Sequence, residues 1–182
     1  MSALTRAGPP RKPTNAPKVS PPLLQFDFHL TDANVQQAIR DRAARLAENV
    51  GETTGAAISD ALAIALREGM SIAETAKLID QVAFGFSAAQ RAATIARTET
   101  IGALNQGQFL AAAESGQIDG KEWLTQGDAR VRETHTVCEG EGVIPIDATF
   151  SNGCDYPGDP SGAPEETINC RCSLLYYNSS NE

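Results

Sequence analysis

From residue 32 to Gly116 the chain is punctuated as a series of helices, and beyond Gly116 it is not. That change of pattern constrains the fold more than any other feature. In the segment 31–51, Thr31 or Asp32 can cap a helix that Gly51 ends. A second helix over 53–70 is closed by Gly69. A third opens on Ser71 with Glu74 three residues on, a pair in which each side chain takes the other's free backbone N–H, and runs to about Ala83. After "GFS", Ser87 followed by Gln90 predicts a second such box at the head of a long Ala-rich helix ending near Gly116. Val35, Ile39, Leu46 and Val50 lie on one face of the first helix, and Ile95, Ile101, Leu104 and Leu110 of the last also need apolar neighbours. Counted by caps and breakers, residues 32–116 make a bundle of about four helices.

Past Gly116, Gly, Pro, Asp and Thr become frequent and the helical period fades. "KEWLT" and "CRCSLLYY" read as strands, "DARVRETH" as one or two helical turns, "GVIPIDATF" as extended chain, and "SNGCDYPGDPSGAPEE" as a long loop. The expected class is α+β, with an N-terminal helical bundle whose long helix leads into a small C-terminal α+β module. The expected organisation is an arm at 1–22, an extended segment plus helical domain at 23–116, and the module at 117–178.

The arm is set apart by proline and charge. Pro9, Pro10, Pro13, Pro17, Pro21 and Pro22 exclude a helix or central strand. Arg6, Arg11, Lys12 and Lys18 face no acid before residue 23. With the whole chain at −8, everything after this +4 arm carries −12. Such a body does not wrap nucleic acid, which requires clustered Lys and Arg, whereas the arm suits an acidic partner or DNA. In "LLQFDFHL", Leu24, Phe26, Phe28 and Leu30 alternate with polar residues, the period of a half-buried strand or an extended docking segment, with His29 on the polar side. No apolar run reaches the ~20 residues of a membrane span. No secretory signal is evident, which favours a reducing compartment and disfavours stable disulfides.

Three clusters carry candidate chemistry. His135 and Cys138 are spaced H-x2-C, Cys170 and Cys172 C-x-C, and Cys154 stands alone in the loop. Zinc takes four N or S ligands, often as two close pairs, so His135, Cys138, Cys170 and Cys172 form a candidate metal set. Unpaired buried thiols and disulfides are the other two readings. Asp128, Arg130, Arg132 and His135 suggest either an anion site or local ion pairs with Asp128, Glu133 or Glu139. Arg97, Thr98 and Glu99 match the residue types used by ADP-ribosyltransferases. Neighbours on a helix diverge by about 100°, however, so they do not converge on one ligand and serve better as hydrogen-bonding partners for the following module. Cys138 and His135 alone lack a third, orienting group for a nucleophilic dyad. No G-x-S-x-G, H-E-x-x-H or Walker loop is present, and the expectation is a protein that is not an enzyme.

In order along the chain, "IARTETIGALNQGQ", "KEWLTQGDARVRETHTVCEGEGVIPIDATF", "PGDP" and "EETINCRC" resemble the phage Mu F-like family of minor head proteins, over about residues 85–175. Arg97, Thr98 and Glu99 match its helical R-T-E, Asn105 a following Asn, and Trp123 the Trp before the Asp-x-Arg-x-Arg segment. Asp128, Arg130, Arg132 and His135 match that segment and its histidine, Glu139 and Gly140 an Asp-Gly, and Asn169, Cys170, Arg171 and Cys172 the closing N-C-R-C. Some relatives carry C-P-x-C upstream and H-x-x-C-R-C downstream. Here Arg132 and His135 stand at the two upstream cysteines and Thr167 at the downstream histidine. His135, Cys170 and Cys172 stay in register, with Cys138 or Cys154 to supply a fourth ligand.

The resemblance implies a structural protein inside the head of a tailed phage, associated with the portal and with capsid or scaffold proteins, and acting in head assembly and DNA packaging or ejection. It implies host cytoplasm during assembly and then the virion head. From the charge and hydropathy patterns, the basic arm is the part expected to touch packaged DNA, no membrane partner is expected, and zinc is the one candidate cofactor. With the chain ending ten residues past Cys172, no fused toxin domain is expected. Arg97 and Glu99 are expected to brace Asp128, Arg130 and His135. The rival functions are a zinc-binding module contacting nucleic acid and an ADP-ribosyltransferase-like enzyme.

Overall fold

The computed structural model describes residues 52–178 together with Gln37, Asp41 and Arg42. The arm, the alternating segment with His29, and most of the first expected helix lie outside the described residues.

Gln37, Asp41 and Arg42 are helical, and from residue 52 the described chain runs through three helices: α1 (Glu52–Arg67), α2 (Ile72–Phe84) and α3 (Ala89–Glu114). Gly69 takes positive φ just after α1, a conformation that costs glycine nothing. Ser71 caps α2 by the expected reciprocal box with Glu74, and Gly85 closes it in the left-handed region. The second expected box is absent. Ser87 turns its hydroxyl back to the Phe84 carbonyl, and Ala88, the residue before α3, makes no side-chain cap. Its backbone N–H is taken instead by the buried Asp80 carboxylate of α2, at 2.8 Å. A carboxylate at a helix N-terminus faces the positive end of the dipole, so this tertiary contact displaces the local one. Ile58, Ala61, Leu62, Ile79, Ala92 and Ala96 form the core of the three-helix part, with no exposure above 4 %.

Gly116 takes positive φ after α3. Then follow β1 (Gly120–Leu124), α4 (Glu133–Gly140), β2 (Val143–Pro145), the short α5 (Pro164–Thr167) and β3 (Ser173–Tyr177). The strands form an antiparallel sheet in the order β2-β1-β3. The class is α+β, as expected. Cys170 and Cys172 precede β3 rather than lying on it, and "GVIPIDATF" is a strand for only three residues.

Lys121 and Trp123 point to the inner face of the sheet, paired with Ile144, Tyr176 and Leu174. Trp123, Cys138, Phe150, Cys154, Tyr156, Cys170, Cys172 and Leu174 make the second core, and Phe109 from the C-terminal half of α3 packs against it. The single long helix therefore serves both cores.

Candidate functional site

The R-T-E triplet on α3 fans out as helical geometry dictates. Arg97 Nη1 donates to Asn169 Oδ1 at 3.1 Å, and Thr98 Oγ1 accepts the Asn169 backbone N–H at 2.9 Å. Together they hold Asn169 at φ 59°, a left-handed conformation unusual outside glycine. Glu99 turns elsewhere, accepting Arg42 Nε at 2.9 Å. About two turns on, the buried Asn105 donates to the carbonyls of Pro157 at 2.9 Å and Cys172 at 3.0 Å. The expected brace is thus corrected: Arg97 and Glu99 reach Asn169 and Arg42, not Asp128, Arg130 or His135.

Asp128 instead receives both Nη atoms of Arg171, at 2.7 and 2.6 Å, and the backbone N–H of Arg130 at 3.0 Å. The Arg171 guanidinium, and after it that N–H, hold its carboxyl down at about 2. Arg132 donates to the Ile168 carbonyl. Glu139 accepts the backbone N–H and hydroxyl of Thr125 at 3.0 Å. The ion pair in this region is therefore non-local, across 43 residues, rather than within "RVRETH". Gln126, Arg130, Arg132, His135, Asn169 and Arg171 border a shallow depression there, with Asp128 already answering one of its arginines.

His135, on α4, is buried edge-on to Trp123, with ring centroids 5.0 Å apart. Its Nδ1 faces Cys172 Sγ at 3.4 Å and Cys170 Sγ at 3.9 Å. Its Nε2 lies 3.1 Å from Glu166 Oε2, close to the carboxylate without being aligned as a hydrogen bond. Glu166 is steadied by the Thr134 hydroxyl at 2.9 Å and by Asn152. These three ligand atoms lie within 4.8 Å of one another, all on buried residues. Around tetrahedral zinc, bonds of about 2.0–2.3 Å place N and S ligands about 3.5 Å apart, so the imidazole and both thiols fit an ion with little movement. A carboxylate on the far nitrogen of a ligating histidine is the usual orienting partner.

The thiols differ. The hydrogen bond with Cys172 lowers the Cys170 thiol, while the hydrogen bond with Cys170 and then burial push Cys172 up. Cys138, the fourth member of the expected set, lies outside the group and contacts the Ser151 hydroxyl at 3.9 Å, its thiol raised by burial. Burial likewise lifts Cys154 to about 12. Gly140 ends α4, where an added Cβ would meet nothing within 4 Å. All four cysteines are free.

Several supporting residues escaped sequence reasoning. Lys121 is fully buried, donating to the Asp155 carbonyl at 2.9 Å with its ammonium 4.6 Å from the Phe109 ring centre. The signal was available, since a strand that buries Trp123 must bury Lys121 on the same face. Asp159, also buried, accepts the backbone N–H groups of Asp155 and Ser161, tying off the "PGDPSG" loop. Arg42 donates to the Gly158 carbonyl at 2.8 Å as well as to Glu99. Nothing in its own neighbourhood marks it for that role.

The family described as Phage Mu protein F like protein matches residues 56–175. The chain is also 32 % identical over 144 residues to "Uncharacterized protein YqbB" of Bacillus subtilis (strain 168), an alignment covering 75 % of this chain and 46 % of that protein. The chain thus spans about half the length of that relative. No solved structure matches this chain. No helix among the described residues is long and apolar enough to cross a membrane.

Proposed function

Because this chain belongs to the phage Mu F-like family of head-morphogenesis proteins, we propose that it is a structural component of a tailed-phage head, seated inside the capsid at the portal, and that it acts in head assembly and in DNA packaging or ejection. Portal, capsid and scaffold proteins are its partners in this reading. Residues 1–22 reach the packaged DNA, and the chain passes from host cytoplasm to virion head.

The observation that carries the reading is where the family's polar residues go. Arg97, Thr98, Asn105, Asp128, Arg132, Asn169 and Arg171 each hold another part of this same chain. Groups so engaged brace a Gly/Pro-rich module with few aromatics. They do not converge on a reacting atom, which supports a role that is not enzymatic.

The test is incorporation. Glu99→Ala and Arg132→Ala should each lower the melting temperature and the amount of protein recovered in phage heads, and the wild-type chain should co-purify with portal rings. Unchanged incorporation of both variants, or a chain absent from portal-containing particles, would refute the proposal.

The triangle of His135, Cys170 and Cys172, with Glu166 behind the imidazole, favours a second reading alongside the first: a buried structural zinc ion that pins α4 to the segment before β3. An ion there supplies cross-linking, not chemistry. Mass spectrometry of protein purified without chelator should find one zinc per chain, lost in Cys172→Ser. Zinc well below one per chain would remove this reading.

A further inference from the structure

The outer face of the sheet is apolar and uncovered. Cross-strand partners share a face, so Gly120, Glu122 and Leu124 of β1 stand with Val143 and Pro145 of β2 and with Ser173, Leu175 and Tyr177 of β3. Leu124 is 39 % exposed, Val143 52 %, Leu175 41 % and Tyr177 37 %. A Cβ on Gly120 would lie 2.7 Å from Val143 Cγ1 and 3.4 Å from Tyr177 Cβ, so the glycine lets side chains of both edge strands close over β1. The result is one continuous patch, with Glu122 tied to the Tyr177 hydroxyl. An antiparallel sheet normally exposes a polar second face, and this one departs from that rule.

We propose that residues 23–30 of the same chain cover this patch, laying Leu24, Phe26, Phe28 and Leu30 against Leu124, Val143, Leu175 and Tyr177 and turning Gln25, Asp27 and His29 outward. Two observations select this occupant. The segment alternates with the period of a strand buried on one face only, a pattern that calls for an apolar surface. Arg42, bonded to Glu99 and to the Gly158 carbonyl, fixes the entering chain beside the module that carries the sheet. Gln37, Asp41 and Arg42 are helical, so the twelve residues from Leu30 to Arg42 reach about 20 Å, against a width of about 14 Å for a three-stranded sheet. The +4 arm preceding the segment is also drawn toward a body carrying −12. This inference is independent of any portal contact.

Hydrogen–deuterium exchange on the full chain decides it. Amides of 23–30 should exchange at least tenfold more slowly than those of 1–20, and the double variant Val143→Glu/Leu175→Glu should bring them to the rates of 1–20 while α3 stays protected. The reciprocal variant Phe26→Glu/Phe28→Glu, which leaves the sheet itself untouched, should accelerate exchange in β3. Unprotected amides at 23–30 would overturn the proposal. So would protection lost on dilution, the mark of a second copy as the occupant. Release by Phe86→Ser but not by the sheet variants would also overturn it, since the segment would then belong to the apolar groove bordered by Met70, Leu78 and Phe86.

Discussion

Asp128 and Arg171 meet across 43 residues through two short contacts, and their pairing has a pH signature of definite sign. The folded-state pKa of Asp128 is depressed to about 2, so whatever the pair contributes is complete above the ordinary carboxylate value and is lost as pH falls through about 2. Arg171→Ala should return the Asp128 carboxyl toward about 3.9, read by carbon-detected NMR titration. A pKa that stays near 2 would assign the depression to the Arg130 N–H instead. Asn105 makes a different kind of contribution, because its partners are main-chain carbonyls that have no alternative in a buried site. Asn105→Ala strands both, and at about 1–3 kcal/mol for each unsatisfied group the loss should be about 2–6 kcal/mol in urea denaturation. These residues stood out in the sequence because they fell in a recognisable string, but their partners did not. Asn169, Pro157 and Cys172 are more than fifty positions from the α3 residues they meet, and no local pattern encodes such a pairing.

Among the elements, α3 shows why some features were legible and others hidden. Its C-terminal boundary and the Ser71–Glu74 cap of α2 are local chemistry, written within four residues, and both were readable. The start of α3 was misread because a distant carboxylate, Asp80, outcompeted the nearby Ser87. Gly102 sits inside this Ala-rich helix, where glycine costs about 1 kcal/mol relative to alanine. In the fold it is a seat. A Cβ there would lie 2.0 Å from Arg42 Nη2, and the Gly102 Cα already packs against Gly158. Two effects oppose each other in Gly102→Ala. Helix propensity improves by about 1 kcal/mol, while displacing Arg42 leaves the mostly buried Glu99 unpaired at a cost of roughly 3 kcal/mol. The pairing term wins, and the variant should be less stable by about 2 kcal/mol. A more stable Gly102→Ala would show that the seat is not needed.

Across the whole molecule the two cores share one helix. With 26 residues α3 extends about 39 Å, its first half packed on α1 and α2 and its second half holding Phe109 and Asn105 against the sheet module. A helix this polar and Ala-rich draws its stability from tertiary packing, so neither half outlives the loss of its neighbours for long. The composition break at Gly116 suggested a boundary between bundle and module, but the core of the module takes its Phe109 from the bundle side of that break. One cooperative unit follows, and it can be separated from two independent ones. Phe150→Ala removes a ring only 2 % exposed in the second core and should cost about 3–5 kcal/mol. If the cores unfold together, the slowest amides of α2, a helix absent from that core, should exchange more than a hundredfold faster in the variant, since each 1.4 kcal/mol is a factor of ten under conditions where global opening limits exchange. If α2 keeps its wild-type rates while the β1 and β3 amides accelerate, α3 links two units that melt separately.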